Sequence, residues 1–146
     1  MEWLVNDALP TLARIFIVWI FPFSCLDKII NWDHALKQVY SGWLPGGPVL
    51  LILAIIVELV APLMIVFRFY DGIAAFILAG YCVVTGIVYH NFWSYPRFWS
   101  PESEGYPHVW EFLKNFAIVG GLIFVMYSSG FIQATERKVE RISGLI

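Results

Sequence analysis

From Leu113 to Ile132 the chain runs for roughly twenty residues with a single charge, Lys114. At about 1.5 Å per residue such a run rises about 30 Å, the thickness of a bilayer core. Inside hydrocarbon every backbone N–H and C=O must find its partner within the segment, so an isolated run of this length is a helix. Three further runs, at about 11–30, 48–69 and 72–93, have the same character. The expected fold class is therefore all-α, an integral membrane four-helix bundle, with residues 1–146 forming one membrane domain. Composition agrees: 60% of residues are hydrophobic and 14% charged, too apolar a balance for a soluble domain of this length. A net charge of −2 leaves no basic face for phosphates, which excludes nucleic acid as a partner. The first run is too long for a signal peptide, lacks a basic leader and ends in Cys25, Asp27 and Lys28, so no removable signal is expected.

Proline and the aromatic residues punctuate this plan. Pro10 suits the first turn of span one, whereas Pro22 cannot donate to the carbonyl of Val18 and predicts a kink. Trp32, Tyr40 and Trp43 beside the turn Pro45, Gly46, Gly47 have the composition of a membrane interface, and 33–41 is expected to be a short interfacial helix. Arg68 and Asp71 bracket a tight turn. The connection 94–110, with Pro96, Trp99, Pro101 and Pro107, predicts an ordered cap on the outer rim, and a charged tail, 136–141, follows span four. Four spans place both termini on one side. That side holds Arg14, Arg68, Arg137, Lys138 and Arg141 against Lys28, Lys37, Arg97 and Lys114 opposite, which predicts a plasma (inner) membrane protein with both termini cytoplasmic.

The costly residue is Glu58, some ten residues into span two and about 15 Å deep. Pro62, four residues on, removes the backbone donor for the carbonyl of Glu58 itself. An acid at that depth needs a partner or a cavity. Lys28 near the end of span one, His90 at the end of span three, and Lys114 with Asn115 at the start of span four share the outer face. The expectation is one polar network of Glu58, Lys28, His90 and Lys114, across a depth gap of about 10 Å. Lys114 is further expected to lie at the positive end of its helix dipole. The ordinary alternative is that the lysines snorkel to headgroups and the histidine is structural. His34, His90 and His108 lack the spacing of a metal site, and none is expected. Cys25 and Cys82 fall at different depths and should not bridge. Gly80, Gly86, Gly120 and Gly121 are expected to allow close helix approach, since no nucleotide loop surrounds them.

Five segments taken together, FSCLDKI (23–29), the LPG turn (44–46), VEL (57–59), HNFW (90–93) and FLKNFAIVGGL (112–122), resemble the DoxX family of small four-span membrane proteins. The 94–110 cap is longer and more aromatic than is usual there. The resemblance implies association with redox systems, since relatives include a subunit of thiosulfate:quinone oxidoreductase. Two classes of function follow. In one, the chain is a quinone-facing subunit of a larger oxidoreductase complex: Glu58 relays the proton, Lys28, His90 and Lys114 hydrogen-bond the quinone oxygens or stabilise quinol charge, and Asn115 and Trp93 complete the cofactor site. Electrons then come from other membrane or peripheral redox chains, because the sequence carries no flavin, haem or iron–sulfur motif. In the other, it is a structural or assembly subunit, alone or as an oligomer, whose polar cluster only locks the helices. A small solute or proton carrier is a third.

Overall fold

The computed structural model describes residues 1–143. Among these, the chain is helical between short turns: a π-helical turn Leu4–Ala8, then α1 (Leu9–Val18), α2 (Ile20–Ile30), α3 (Trp32–Ser41), α4 (Pro48–Val66), α5 (Asp71–Tyr89), a 3-10 turn Phe92–Ser94, α6 (Gly105–Ser128) and α7 (Phe131–Ser143). Four stretches are long and apolar enough to cross a membrane: Leu4–Ile30, Pro48–Val66, Asp71–Ser94 and Gly105–Ser128. Large apolar side chains such as Phe16, Phe67, Phe76 and Phe124 point outward from the bundle, as expected where the solvent is lipid rather than water.

Proline acts differently in the first two spans. Span one is two helices meeting at Trp19, one residue past Val18, whose carbonyl Pro22 leaves without its helical donor. Pro62 is fully buried within α4, which continues through it. The 67–70 turn after α4 holds Arg68 at φ 56° and Tyr70 at φ 49°, so the reversal into α5 is made in left-handed backbone.

Span four departs from expectation at both ends. Its helix begins at Gly105, eight residues before the expected 113, because Pro107 lies in the first turn, where a helix needs no N–H. It ends at Ser128, and Gly130, at φ 74°, turns the chain into the separate helix α7. Residues 131 and 132 and the tail 136–141 therefore belong to α7, and the cap shortens to the segment between α5 and Gly105. In that segment Phe92 packs on Phe98 and Phe112 at centroid distances of 5.1 and 5.3 Å.

The half of the bundle nearer the termini (the inner side, the cap end being the outer) is an apolar core of Val18, Phe21, Ile65, Leu78, Leu122 and Val125 with the alanines of α5 between them. Below it, Arg14 donates to Asp71 Oδ2 at 3.2 Å and to Ser128 Oγ at 3.1 Å, tying α1, α5 and α6 together. Arg14 is 7% exposed, so it is a bundle residue rather than the free flanking cation counted from the sequence. Arg68 reaches Thr11 at 3.1 Å.

Of the four glycines expected to allow close helix approach, Gly121 is at one and the other three are not. Gly80 and Gly120 face open space and Gly86 makes ordinary contacts, whereas a β-carbon on Gly121 would lie 3.1 Å from Ile17. At Gly72 it would collide with the β-carbon of Phe131, which is fixed to the backbone, and with Oγ of Ser129, which is hydrogen-bonded to the Met126 carbonyl. Gly72→Ala is therefore expected to cost about 1–3 kcal/mol by overpacking. Gly80→Ala should be neutral or stabilising by up to about 1 kcal/mol through helix propensity. Thermal unfolding in mild detergent checks both, and equal effects would contradict this packing.

Candidate functional site

The polar residues of the outer half converge because of helix direction. Side chains lean toward the N-terminus of their own helix. α2 runs outward, so Lys28 leans inward toward the midplane; α4 runs inward, so Glu58 leans outward to meet it. The expected depth gap closes without any intermediary: Lys28 Nζ lies 2.9 Å from Glu58 Oε1 and 3.0 Å from Oε2. Glu58 is 3% exposed and Lys28, by side chain, 20%.

Two residues absent from the sequence reading complete the cluster. Ser24, one turn before Lys28 on the same face of α2, accepts from Nζ at 2.6 Å and donates to Glu58 Oε1 at 3.1 Å. Tyr81, at mid-span on α5, donates its hydroxyl to the same oxygen at 2.6 Å. Helices α2, α4 and α5 are thus joined at one carboxylate. A Tyr with its polar tip at mid-span, and a Ser four residues before Lys28, were the signals available.

The other expected members stand apart from it. α6 runs inward, so Lys114 leans outward, away from Glu58, and pairs with Glu111 one turn earlier at 2.5 Å. Because α6 starts at Gly105, Lys114 lies beyond the first turn, where the dipole acts, and the expected mismatch with the helix end is absent. His90 faces His108, Nδ1 to Nδ1 at 3.4 Å, with Tyr95 stacked on His108 at 5.1 Å. Asn115 donates to the Glu111 carbonyl at 2.9 Å and meets Thr85 Oγ1 at 3.4 Å. The single bonded network of Glu58, Lys28, His90 and Lys114 is therefore three separate groups.

What unites them is a cavity of about 480 Å³. It lies between α2, α4, α5 and α6, where α6 rests on α5 and α1 while α2 rests on α4 and α3. Glu58, Lys28, His90, Lys114 and Asn115 all line it, together with Tyr81. α3 contributes His34 and Gln38 to the wall, which gives the interfacial helix a role in closing the space. Trp93 does not line it; its ring packs edge-on against Phe92 and Phe112 at 5.2 and 5.7 Å and is half exposed. The remaining walls are mostly aliphatic, from Ile20, Leu50, Leu53, Val57, Val84 and Ile118.

Cys25 and Cys82 are buried and unbridged. Among the described residues no three His, Cys, Asp or Glu side chains are grouped to hold a metal ion. Chemically, the site offers a carboxylate hydrogen-bonded by a lysine ammonium and two hydroxyls, at the side of an amphipathic pocket.

A double-mutant cycle tests the pairing. Lys28→Met and Glu58→Gln should be strongly non-additive in unfolding free energy, with a coupling of about 1–3 kcal/mol, because each alone leaves a buried charge or dipole unpaired. Lys114→Met with Glu58→Gln, which share no partner, should be additive within about 0.5 kcal/mol. Additivity in the first pair would refute the ion pair.

Comparison with known proteins places this architecture. Over 127 residues the chain is 25% identical to the inner membrane protein YphA of Escherichia coli (strain K12), covering 87% of each chain. No solved structure matches. The DoxX family model matches residues 9–91, a stretch that contains Lys28, Glu58, Tyr81 and His90 and stops before Lys114 and the 112–122 segment. The chain is a member of the DoxX family.

Proposed function

We propose that the chain is a quinone-facing, redox-associated subunit of an inner-membrane oxidoreductase complex, with Glu58 as its proton-accepting group. The observation that carries this reading is a buried carboxylate, bonded by Lys28, Ser24 and Tyr81, exposed only to an amphipathic cavity. The polar groups on the wall and the space suit a quinone-type head group. A volume of about 480 Å³ is within the usual range for small-ligand pockets, with polar groups on an otherwise aliphatic wall.

A bound quinone supplies a carrier for two electrons and two protons. The protein's share is proton handling and positioning. Lys28, Ser24 and Tyr81 hold Glu58 in place, and Glu58 accepts a proton at Oε2, the oxygen with fewer partners. Glu58 itself, 3% exposed, has little contact with water. His90, on the cavity wall, touches His108 outside it and offers a route for protons toward the outer face. Electrons pass to or from partner chains. The inner-membrane location rests on the four spans and on the similarity to YphA.

Purification in native lipids, followed by extraction and identification of bound quinone and of co-purifying chains, tests this function. Wild-type protein should retain quinone and a redox partner, and Glu58→Gln should retain at least about tenfold less quinone while keeping the partner. Loss of the partner with quinone retained would favour the structural subunit, a reading supported by the way Glu58 and Arg14 each tie three helices. Absence of quinone from the wild-type extract would sink the redox reading.

The basic residues Arg137, Lys138 and Arg141 on α7 support an orientation with both termini in the cytoplasm. On intact cells a membrane-impermeant maleimide should label Ser103→Cys in the cap and leave Arg137→Cys unlabelled. The reverse pattern would invert the topology.

A further inference from the structure

The hydrogen-bonding capacity around Glu58 is unequally used. The Lys28 ammonium has three N–H groups and three acceptors within 3.0 Å: Ser24 Oγ, Glu58 Oε1 and Glu58 Oε2. The hydroxyl hydrogens of Ser24 and Tyr81 both go to Oε1. Every donor in the cluster is thus engaged with the cluster itself. Oε1 accepts from three groups, whereas Oε2 accepts from Lys28 alone. The unused capacity is therefore all acceptor, and most of the negative charge without a partner is on Oε2.

A ligand entering here meets an acceptor. An oxidised quinone carries only acceptors on its ring oxygens, so it gains no bond at Glu58 and gives up its own bonds to water. To obtain a donor at this end of the cavity it would have to draw Lys28 away and leave the carboxylate buried without its cation, which is strongly unfavourable. A hydroxyl group needs no such rearrangement. Its O–H completes Oε2 with a charge-assisted hydrogen bond. The far end of the cavity does not reverse this choice, because Lys114, half exposed and bonded to one carboxylate oxygen, has N–H groups to spare for either form.

We propose that the cavity selects the reduced, hydroxyl-bearing form of its ligand, a hydroquinone, through an O–H donated to Glu58 Oε2. This rests on the quinone-facing reading above and specifies which redox form the resting site takes. It also makes Lys28 a positioning residue: it fixes the carboxylate and does not itself hold the ligand.

Isothermal titration of the detergent-solubilised full chain under anaerobic, reducing or oxidising conditions separates the possibilities. The probes are 2,3-dimethoxy-5-methylhydroquinone, the matching benzoquinone and the hydroquinone dimethyl ether. The hydroquinone should bind at least about tenfold tighter than either of the others, since only it offers a donor to a charged acceptor. In Glu58→Gln, whose amide both accepts and donates, the preference should fall to within about threefold. That variant leaves Lys28 unpaired, so the double variant Lys28→Met/Glu58→Gln, neutral at both positions and close in shape, is titrated beside it. If benzoquinone binds wild type as tightly as the hydroquinone, the selection is wrong and the quinone-facing function stands. A preference that persists in the double variant would also overturn it, because Glu58 would then not be its source. If none of the three probes binds wild type, the selection and the function fall together.

Discussion

A carboxylate at the depth of Glu58 is tolerable only if it is paired and hydrogen-bonded, and the outer half of the bundle is arranged to meet that condition. The cation comes from α2, one hydroxyl from α2 and the other from α5. Each must arrive at the same height, so a single group sets the register of three helices. Taking away one partner from such a pair costs about 3–5 kcal/mol, a large share of the stability of a small domain. An aliphatic side chain at position 58 would pack in hydrocarbon at no such cost, which is why the carboxylate points to chemistry rather than to stability alone.

Two polar clusters, one around Glu58 at mid-span and one around Arg14 at the end near the termini, lie on either side of the apolar core. Along α1 and α2 the order is Arg14, Val18, Phe21, Ser24; along α5 it is Asp71, Ala75, Leu78, Tyr81; along α6 it is Asn115, Leu122, Val125, Ser128. Each helix therefore passes from one polar layer to the other through the same dry band. The cavity is closed toward the inner side by that band, which argues against the carrier reading, since alternating exposure of Glu58 would require the best-packed part of the bundle to open.

The spans and the importance of Glu58 were legible in the sequence because both rest on composition against depth, which a linear reading measures well. Partner choice was not, because depth along the chain says nothing of the direction in which a side chain leans. Lys28 and Lys114 are similar by depth, and a list of heights puts both near Glu58. Helix polarity separates them, since Lys28 leans down α2 toward the acid and Lys114 leans up α6 toward Glu111. The alternation of up and down spans was already implied by the four-span plan, so the correct pairing could have been found by asking which way each helix runs. Trp93 failed for a related reason: its neighbours in HNFW are at the right height, but the 3-10 turn Phe92–Ser94 rotates its ring onto Phe112 and away from the cavity.

Span four shows a second limit of linear reading. Pro101 and Pro107 are alike as loop signals, yet only Pro107 falls in the first turn of a helix, where its missing N–H has no consequence. Starting α6 at Gly105 does more than lengthen a helix. It carries His108 and Glu111 onto the same rigid rod as Lys114 and Asn115, so that the residues at the cavity's outer edge are fixed to one another by helix geometry instead of hanging from a loop. Gly105 itself is buried, and a β-carbon there would strike Tyr95, the residue that stacks on His108. The close approach at Gly105 thus holds the cap against α6, and the cap in turn holds the histidine pair at the mouth of the cavity. The aromatic segment between α5 and α6 is in this way part of the structure that positions the site.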